Sequence, residues 1–304
     1  MNTAYPVFSI LISTKDRKED LLFTLKKNDY ILNRNDVECI VFDDGSIDGT
    51  FQAVKSQFPK VKLFRNETSK GYLFCRNRML AITKAKYAIS LDDDAHFVTD
   101  NCLEIIEKKF IENPNCGLIA FRIFWGRTLP DFIETSEKAE QVRGFVGCGH
   151  VWKIETWNLI PNYPEWFVFY GEEEFASYQL YKIDKAIIYE PSILLHHRVD
   201  VVSRKKHKDY QLRLRRSLRS GWYLYFLFYP WSMIPHKIIY SLWIQLKNKT
   251  FNGDFEATVA IFQAIFDVLI NFPKLVKNSN RLSENELKKF QEIPIAKIFW
   301  KPNK

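Results

Sequence analysis

The chain has 304 residues, of which 46% are hydrophobic and 26% are charged, a composition typical of a folded protein. Its five cysteines include no CxxC pair, which argues against a zinc site or a disulfide framework and favours a reducing compartment. The net charge of +8 is concentrated in one late segment without a recognised nucleic-acid-binding motif, so we expect no nucleic acid partner.

The first half of the chain alternates apolar runs with amphipathic segments, through about residue 122. Three apolar runs read as strands, at residues 7–13, 37–42 and 89–91. The segment after the first run predicts a helix opened by Asp16, with Glu19 three residues later as in a capping box. This alternation favours a mainly parallel sheet with helices on both faces.

Carboxylates follow two of these strands. Asp43 and Asp44 come after the second strand, and Asp92, Asp93 and Asp94 come after the third. If the chain is still extended there, Asp92 and Asp94 share one face, because side chains alternate along a strand. Like charges at this spacing repel, and a divalent cation would offset the repulsion; the alternative is a solvated acidic turn. In open α/β sheets, ligands bind at this edge.

A more irregular stretch follows, from residue 124 to 170. After it, the sequence predicts a helix and two short strands, at residues 175–183, 186–189 and 193–195. Glu172, Glu173 and Glu174 precede the helix, where acids ordinarily complement the helix dipole. His196 and His197 follow the second short strand, where a histidine pair is otherwise often plain polar surface.

A basic segment at residues 203–219 carries eight basic residues and one acid, Asp209. The basic residues are Arg204, Lys205, Lys206, Lys208, Arg213, Arg215, Arg216 and Arg219. An aromatic, apolar stretch follows as far as Leu246, interrupted by Pro230 and Pro235 before it is long enough to span a bilayer. Such a segment is attracted to an anionic membrane surface. The alternative is that the basic residues are solvated and the aromatic residues pack on the first domain.

Taken in chain order, these motifs resemble glycosyltransferase family 2, the inverting, nucleotide-sugar-dependent enzymes with a GT-A fold. The stretches that carry the resemblance are residues 9–17, 42–50, 70–71 with 76–77, 91–94 and 171–174. Any one of them is weak, and the ordered set is specific. The resemblance covers roughly residues 5–200.

The resemblance implies an α/β GT-A fold, in which a Rossmann-like, mainly parallel sheet is flanked by helices and followed by a C-terminal helical extension. We expect a glycosyltransferase domain at residues 1–202, with a donor-binding half at about 5–122 and an acceptor or catalytic half at about 123–202. A basic, aromatic-rich helical region would occupy residues 203–304.

The resemblance also implies a metal site. Asp92 and Asp94 would hold Mn²⁺ or Mg²⁺, which stabilises the negative charge of the departing diphosphate. A late histidine would be a further ligand, and His197 is slightly preferred to His196. Asp93 would contact the ribose or the sugar of the donor.

Family resemblance places the catalytic base in the acidic run. A gapless match to the Gly-Glu-Asp pattern makes Glu173 the base that accepts the proton of the acceptor hydroxyl. The family commonly has Asp at this second position and Arg where Gln179 stands, so Glu172 stays open as the alternative.

Donor binding would fall to the first half of the chain. The residues implied for the nucleotide and the diphosphate are Thr14, Asp16, Arg17, Asp43 or Asp44, Lys70, Gly71 and Arg76. Glycine before the helix that starts near Tyr72 permits close backbone approach, and arginine suits forked phosphate contact.

These expectations combine into one function: a metal-dependent inverting glycosyltransferase that moves a sugar from a nucleotide-diphospho-sugar to a glycan or lipid-linked acceptor. The setting would be cell-surface polysaccharide or lipopolysaccharide biosynthesis, in the cytoplasm at the inner face of the plasma membrane. One alternative is a nucleotidyltransferase, which would carry a Gly-rich loop where residues 13–17 contain no glycine. The other is a non-catalytic nucleotide-sugar-binding module, against which the intact acids argue.

Overall fold

A computed structural model gives the structure of residues 5–199 and 209–301. The first six residues of the basic segment, which include Arg204, Lys205, Lys206 and Lys208, and the predicted domain boundary at residue 202 lie outside this part of the chain. The strands are β1 Phe8–Thr14, β2 Val37–Asp43, β3 Lys62–Arg65, β4 Tyr87–Asp92, β5 Ala95–Phe97, β6 Cys116–Trp125, β7 Glu140–Val142, β8 Gly149–Lys153 and β9 Ala186–His197.

The helices alternate with these strands and then follow them. They are α1 Lys18–Lys27, α2 Asp29–Leu32, α3 Thr50–Gln57, α4 Tyr72–Ile82, α5 Cys102–Glu112, α6 Ile154–Trp157, α7 Glu172–Lys182, α8 Tyr210–Phe228, α9 Ile234–Asn248, α10 Phe255–Lys277 and α11 Glu284–Glu292. Short 3-10 helices lie at Glu165–Phe167, Trp231–Met233 and Thr250–Asn252.

One sheet organises the fold, with the strand order β3-β2-β1-β4-β8-β6-β9-β5 and with β7 paired to β9. The strands β3, β2, β1 and β4 run parallel, as predicted for the first half of the chain. β8 runs antiparallel to both of its neighbours, β4 and β6, so the second half of the sheet is mixed. The α/β class with flanking helices and a helical C-terminal region is confirmed.

Two strand predictions in the second half were wrong. β8 lies inside the stretch predicted to be irregular, because a short strand that is buried on both faces lacks the alternation that marks a strand. β9 is one strand instead of two. Its pairing with β6 skips from Glu190 to Leu194, so Pro191 sits in a bulge, where a missing N–H costs no ladder hydrogen bond. β9 thereby carries His197 to the edge of the sheet where β4 ends.

The predicted capping box at the start of α1 is also wrong. Asp16 has a positive φ of 52° and its carboxylate accepts a hydrogen bond from the backbone N–H of Ile47 at 2.7 Å. In return, the Ser46 hydroxyl accepts one from the Asp16 N–H at 2.9 Å. These long-range bonds replace the local cap and tie the loop after β1 to the loop after β2.

The C-terminal helices share a core with the sheet. α4 and α7 lie on one face of it, with α8, α10 and α11 packed against them in the same core, and α1, α3 and α5 cover the other face. The aromatic residues that begin the predicted membrane belt, including Trp222, Tyr223 and Phe228, are buried in the first of these cores. The aromatic residues of α8 therefore pack in the core of the protein, as the alternative interpretation of this stretch expects.

A buried ion pair fastens α10 to α8. Asp267 accepts two hydrogen bonds from Arg215, at 2.7 and 2.6 Å, and lies 3.5 Å from Arg219. Arg219 also donates to the carbonyl oxygen of Phe167, in the segment that precedes α7. Two of the predicted membrane-binding arginines are thus structural.

We expect Asp267→Ala to lower the free energy of unfolding by about 3 kcal/mol, because it removes the carboxylate that pairs with the buried Arg219 and with the partly exposed Arg215. Urea denaturation followed by circular dichroism measures the change. Arg213→Ala is the control, since its acid partner Asp209 is half exposed at 3.8 Å, and such pairs contribute less than about 1 kcal/mol. Equal losses in the two variants would contradict the assignment.

Candidate active site

The carboxyl ends of β1 and β4 border a cavity of about 600 Å³, here called the aspartate cavity. Its lining includes Thr14, Lys15, Arg17, Asp44, Lys70, Gly71, Tyr72, Asp92, Asp93, Asp94, Val168, Phe169, His197 and Arg216. Most of the residues predicted to bind a donor or a metal therefore meet in one place.

Three side chains in this cavity are grouped as metal ligands would be. One ligand atom each from Asp92, Asp94 and His197 lies within 4.8 Å of the others. His197 Nε2 is 2.9 Å from Asp94 Oδ1 and 3.9 Å from Asp92 Oδ2. Asp92 and Asp94 lie together as expected, but strand alternation is not the reason, because β4 ends at Asp92 and a turn at Asp93 and Asp94 brings the two carboxylates to one side.

One carboxylate oxygen of Asp92 and one of Asp94 each accept a hydrogen bond from an arginine. Arg76 donates to Asp92 Oδ1 at 3.0 Å, and Arg17 donates to Asp94 Oδ2 at 2.7 Å. The remaining oxygen of each carboxylate therefore faces His197 Nε2. Carboxylate oxygens together with an imidazole form a donor set that suits Mn²⁺ and related divalent ions, so these residues fit the predicted metal.

The second histidine points elsewhere. His196 Nε2 lies 2.7 Å from the carbonyl oxygen of Gly126, and its ring packs against Phe124 and His96. Successive residues of a strand point to opposite faces, so only one of the pair can face the aspartates. The structure places His197 in the group and leaves His196 out, which corrects the alternative assignment.

Asp93 holds the loop after β1 against β4. It accepts a hydrogen bond from the Thr14 hydroxyl at 2.8 Å and lies 3.1 Å from Arg17 Nε. Burial raises the pKa of Asp93 to about 7, although the Arg17 guanidinium opposes that change. The predicted donor residues Thr14 and Arg17 are thereby fixed in the cavity wall.

The two predicted nucleotide-binding acids after β2 have different surroundings. Asp43 is fully buried and accepts a hydrogen bond from the Ser46 N–H, so it does not line the cavity. Asp44 does line it, and its carboxylate accepts bonds from the N–H groups of Lys70 and Gly71 at 2.8 and 2.9 Å. Asp44 therefore holds the turn before α4 at the cavity, whereas Asp16 bonds to Ile47 outside it.

A second cavity, of about 660 Å³, contains Glu173 and is here called the glutamate cavity. Other residues in its lining are Arg143, Phe145, Glu174, Tyr178, Tyr229, Lys237, Phe290 and Ile295. Glu172, at the start of α7, is 3% exposed and lines neither cavity. Of the two candidate bases, the structure gives Glu173 the open position.

Gly147 links the two cavities. Its N–H donates to Glu173 Oε1 at 3.1 Å, and its carbonyl oxygen accepts from Arg76 at 2.6 Å. Arg76 in turn holds Asp92. Burial, together with the neighbouring carboxylates of Glu172 and Glu174, raises the pKa of Glu173 well above its ordinary value. A carboxyl group with a raised pKa, held this close to a metal-type site, is suited to proton transfer.

Two parts of the aspartate cavity carry no signal in the sequence. Arg216, predicted to bind a membrane, lines it instead, and within residues 5–199 and 209–301 it makes no hydrogen bond or ion pair. Val168 and Tyr170 flank Phe169 with positive φ of 67° and 69°, which is strained for a β-branched residue. Both features depend on where α8 packs, and no local pattern encodes that.

An Asp-x-Asp pair and a histidine lie at the edge of this α/β sheet, and the partly exposed Glu173 is connected to them through Gly147. Residues 9–174 match Glycosyl transferase family 2, and the chain belongs to that family. It is a glycosyltransferase. The nucleotidyltransferase and non-catalytic alternatives are set aside. A comparison with curated proteins found no match.

Solved structures share the fold at low sequence identity. GalNAc-T7 with UDP, GalNAc and Mn²⁺ aligns with a TM-score of 0.58 and 14% identity, over 75% of this chain but only 49% of that one. The mannosyltransferase PcManGT from Pyrobaculum calidifontis, with GDP-Man and Mn²⁺, gives 0.55 and 14% over 95% and 79%. S. aureus TarS 1-349 with UDP-GlcNAc gives 0.54 and 16% over 90% and 83%. This chain therefore spans about half of the GalNAc-T7 chain and most of the other two.

The histidine pair offers a matched test of the metal site. We expect His197→Gln to weaken Mn²⁺ binding by about 10-fold or more, because one of three clustered donors is lost. His196→Gln changes an equally buried neighbour that faces the other way, and Mn²⁺ affinity should stay near that of the wild type. Isothermal titration with Mn²⁺ alone measures both, and melting curves check the folds. Loss of affinity in the His196 variant alone would contradict the assignment.

Proposed function

We propose that this chain is a metal-dependent, inverting glycosyltransferase that moves a sugar from a nucleotide-diphospho-sugar to an acceptor hydroxyl. One observation carries the proposal. Asp92, Asp94 and His197 face a common point, and Gly147 connects that group to the open carboxylate of Glu173. The structural neighbours support this type of donor, since their titles name UDP, GDP-Man and UDP-GlcNAc, two of them with Mn²⁺.

The aspartate cavity would hold the donor. Lys70, Arg17 and Arg216 line it and bring positive charge toward a diphosphate, and Arg216 forms no ion pair within 4 Å among the described residues. When bound by Asp92, Asp94 and His197, Mn²⁺ or Mg²⁺ would neutralise charge on the departing nucleoside diphosphate. The backbone turn at Gly71, held by Asp44, lets the chain approach the ligand closely.

The glutamate cavity would hold the acceptor. Glu173 lines it, and as a carboxylate it would accept the proton of the acceptor hydroxyl while that oxygen attacks the sugar. Attack from the side opposite the diphosphate inverts the configuration of the sugar carbon in a single displacement. Glu172 would act through Glu173, since burial raises its pKa to about 7 and its negative form in turn raises the pKa of Glu173.

We place the reaction in cell-surface polysaccharide or lipopolysaccharide assembly, with a glycan or a lipid-linked saccharide as the acceptor. The resemblance to family 2 supports this setting. The five cysteines are all buried and unpaired, as suits a protein of a reducing cytoplasm.

The donor and the metal can be tested together. UDP-, GDP- and dTDP-sugars are screened for their effect on the melting temperature, with Mn²⁺ and with EDTA. We expect one donor class to stabilise the protein in Mn²⁺ only, because the ligand binds the folded state through the metal. The same donor should release its nucleoside diphosphate when an acceptor mixture is added. Equal stabilisation and turnover in EDTA would contradict the metal-dependent proposal.

Glu173→Gln should lower kcat by about 10² to 10⁴-fold while donor affinity stays nearly constant, because only proton acceptance is lost. In the wild type, kcat should fall as the pH drops through the raised pKa of Glu173, since a protonated carboxyl cannot accept the proton. The Gln variant should lack this acid limb. Glu172→Gln is the control and should retain it. A larger loss in the Glu172 variant would show that the base is one residue earlier.

A further inference from the structure

The outer side of α9 and α10 presents large apolar residues to solvent. We call this set the apolar outer face, and each member is at least 53% exposed. Its members are Ile239, Tyr240, Trp243, Phe251, Phe255, Phe262, Phe266, Leu269 and Ile270. Solvent-exposed apolar clusters of this kind mark interaction surfaces.

The spacing of these residues shows that they share one side of each helix. On α10, Phe255, Phe262, Phe266 and Leu269 recur at intervals of seven, four and three residues. The opposite side of α10, including Ala260, is buried toward the core. α10 is therefore apolar on both sides, and no described residue covers the outer one.

The face is continuous from one helix to the next. The rings of Trp243 on α9 and Phe251 in the connecting 3-10 helix are 6.1 Å apart, and Phe255 opens α10 four residues later. Aromatic residues at the edge of such a face are suited to the boundary between lipid headgroups and acyl chains.

Positive charge accompanies the apolar outer face. Residues 231–277 contain five lysines, of which Lys247 and Lys249 lie near the start of α10 and Lys274 and Lys277 near its end. The three acids in this range are Glu256, which is exposed, Asp254, which caps α10, and Asp267, which pairs with α8, so lysines are in excess. This balance complements an anionic surface. The same excess of lysines disfavours a dimer formed through this face, because a symmetric interface would bring like charges together.

We propose that the apolar outer face rests on the surface of an anionic phospholipid bilayer. This surface differs from the sequence-based one: it excludes α8, whose aromatic residues are buried, and it extends through α10. By length and composition α10 could cross a membrane. Its packing argues against that, since Asp267 near its middle pairs with Arg215 and Arg219 of α8. The helix lies in the plane of the interface.

The docking surface also borders the glutamate cavity. Lys237, in the first turn of α9, lines that cavity together with Glu173. An acceptor carried by a lipid would therefore reach Glu173 along α9 without leaving the bilayer surface. This last step rests on the proposed function, whereas docking on the bilayer does not.

Vesicle flotation of the full chain tests the docking. We expect the wild type to float with phosphatidylglycerol-containing vesicles, to float less with pure phosphatidylcholine vesicles, and to be released by high salt, because ions screen the lysines. The triple variant Phe262→Ser, Phe266→Ser, Leu269→Ser should lose about 10-fold or more of its vesicle affinity through lost apolar burial.

A matched control changes apolar residues that are equally exposed elsewhere. Ile111→Ser with Phe132→Ser, which are 66% and 74% exposed, should float like the wild type. Melting curves confirm that both variants fold. Because flotation needs no turnover, its outcome is independent of the glycosyltransferase proposal.

Three outcomes would overturn the docking proposal. The wild type stays at the bottom of the gradient with every vesicle. Alternatively, light scattering shows a dimer that the triple variant converts to a monomer, with no vesicle binding, so that a second copy covers the face. Finally, protein that resists extraction by alkaline carbonate would be inserted across the bilayer instead of resting on it.

Discussion

The site depends on how two aspartates are held side by side. Asp92 and Asp94 would repel each other at the end of β4, and each is tolerated because an arginine binds one of its oxygens. Arg76 comes from α4 and Arg17 from the loop after β1, so the charge of the cluster is balanced by elements on either side of the strand. This balance leaves two oxygens facing His197, and it makes the metal-type geometry a property of the folded sheet.

The C-terminal helices also help to build the site. α8 is fastened to α10 by Asp267 and to the backbone at Phe167 by Arg219. The strained turn at Val168 follows directly, and Arg216 extends from the same helix into the aspartate cavity. The chain segment with the least motif resemblance therefore contributes Arg216 to the lining of the site.

The sequence predicted the features that local patterns encode. The alternation of apolar runs predicted the parallel half of the sheet, and the acid triplet marked the end of β4, although a turn and not an extended strand brings Asp92 and Asp94 together. It failed where distant partners compete with local ones: Asp16 bonds to Ile47 instead of capping α1, and Pro191 bends β9 without ending it. The position of Arg216 depends on helix packing, which no short pattern records.

The absence of a side chain at Gly147 lets the main chain lie directly against Glu173. A Cβ atom built there would lie 2.6 Å from Glu173 Oε1, so the closeness of the backbone to that carboxylate depends on the missing side chain. The same residue holds Arg76 through its carbonyl oxygen. Any side chain at this position would therefore push Glu173 away from the main chain that also holds Arg76, so the spacing between the aspartate cluster and the glutamate requires glycine here.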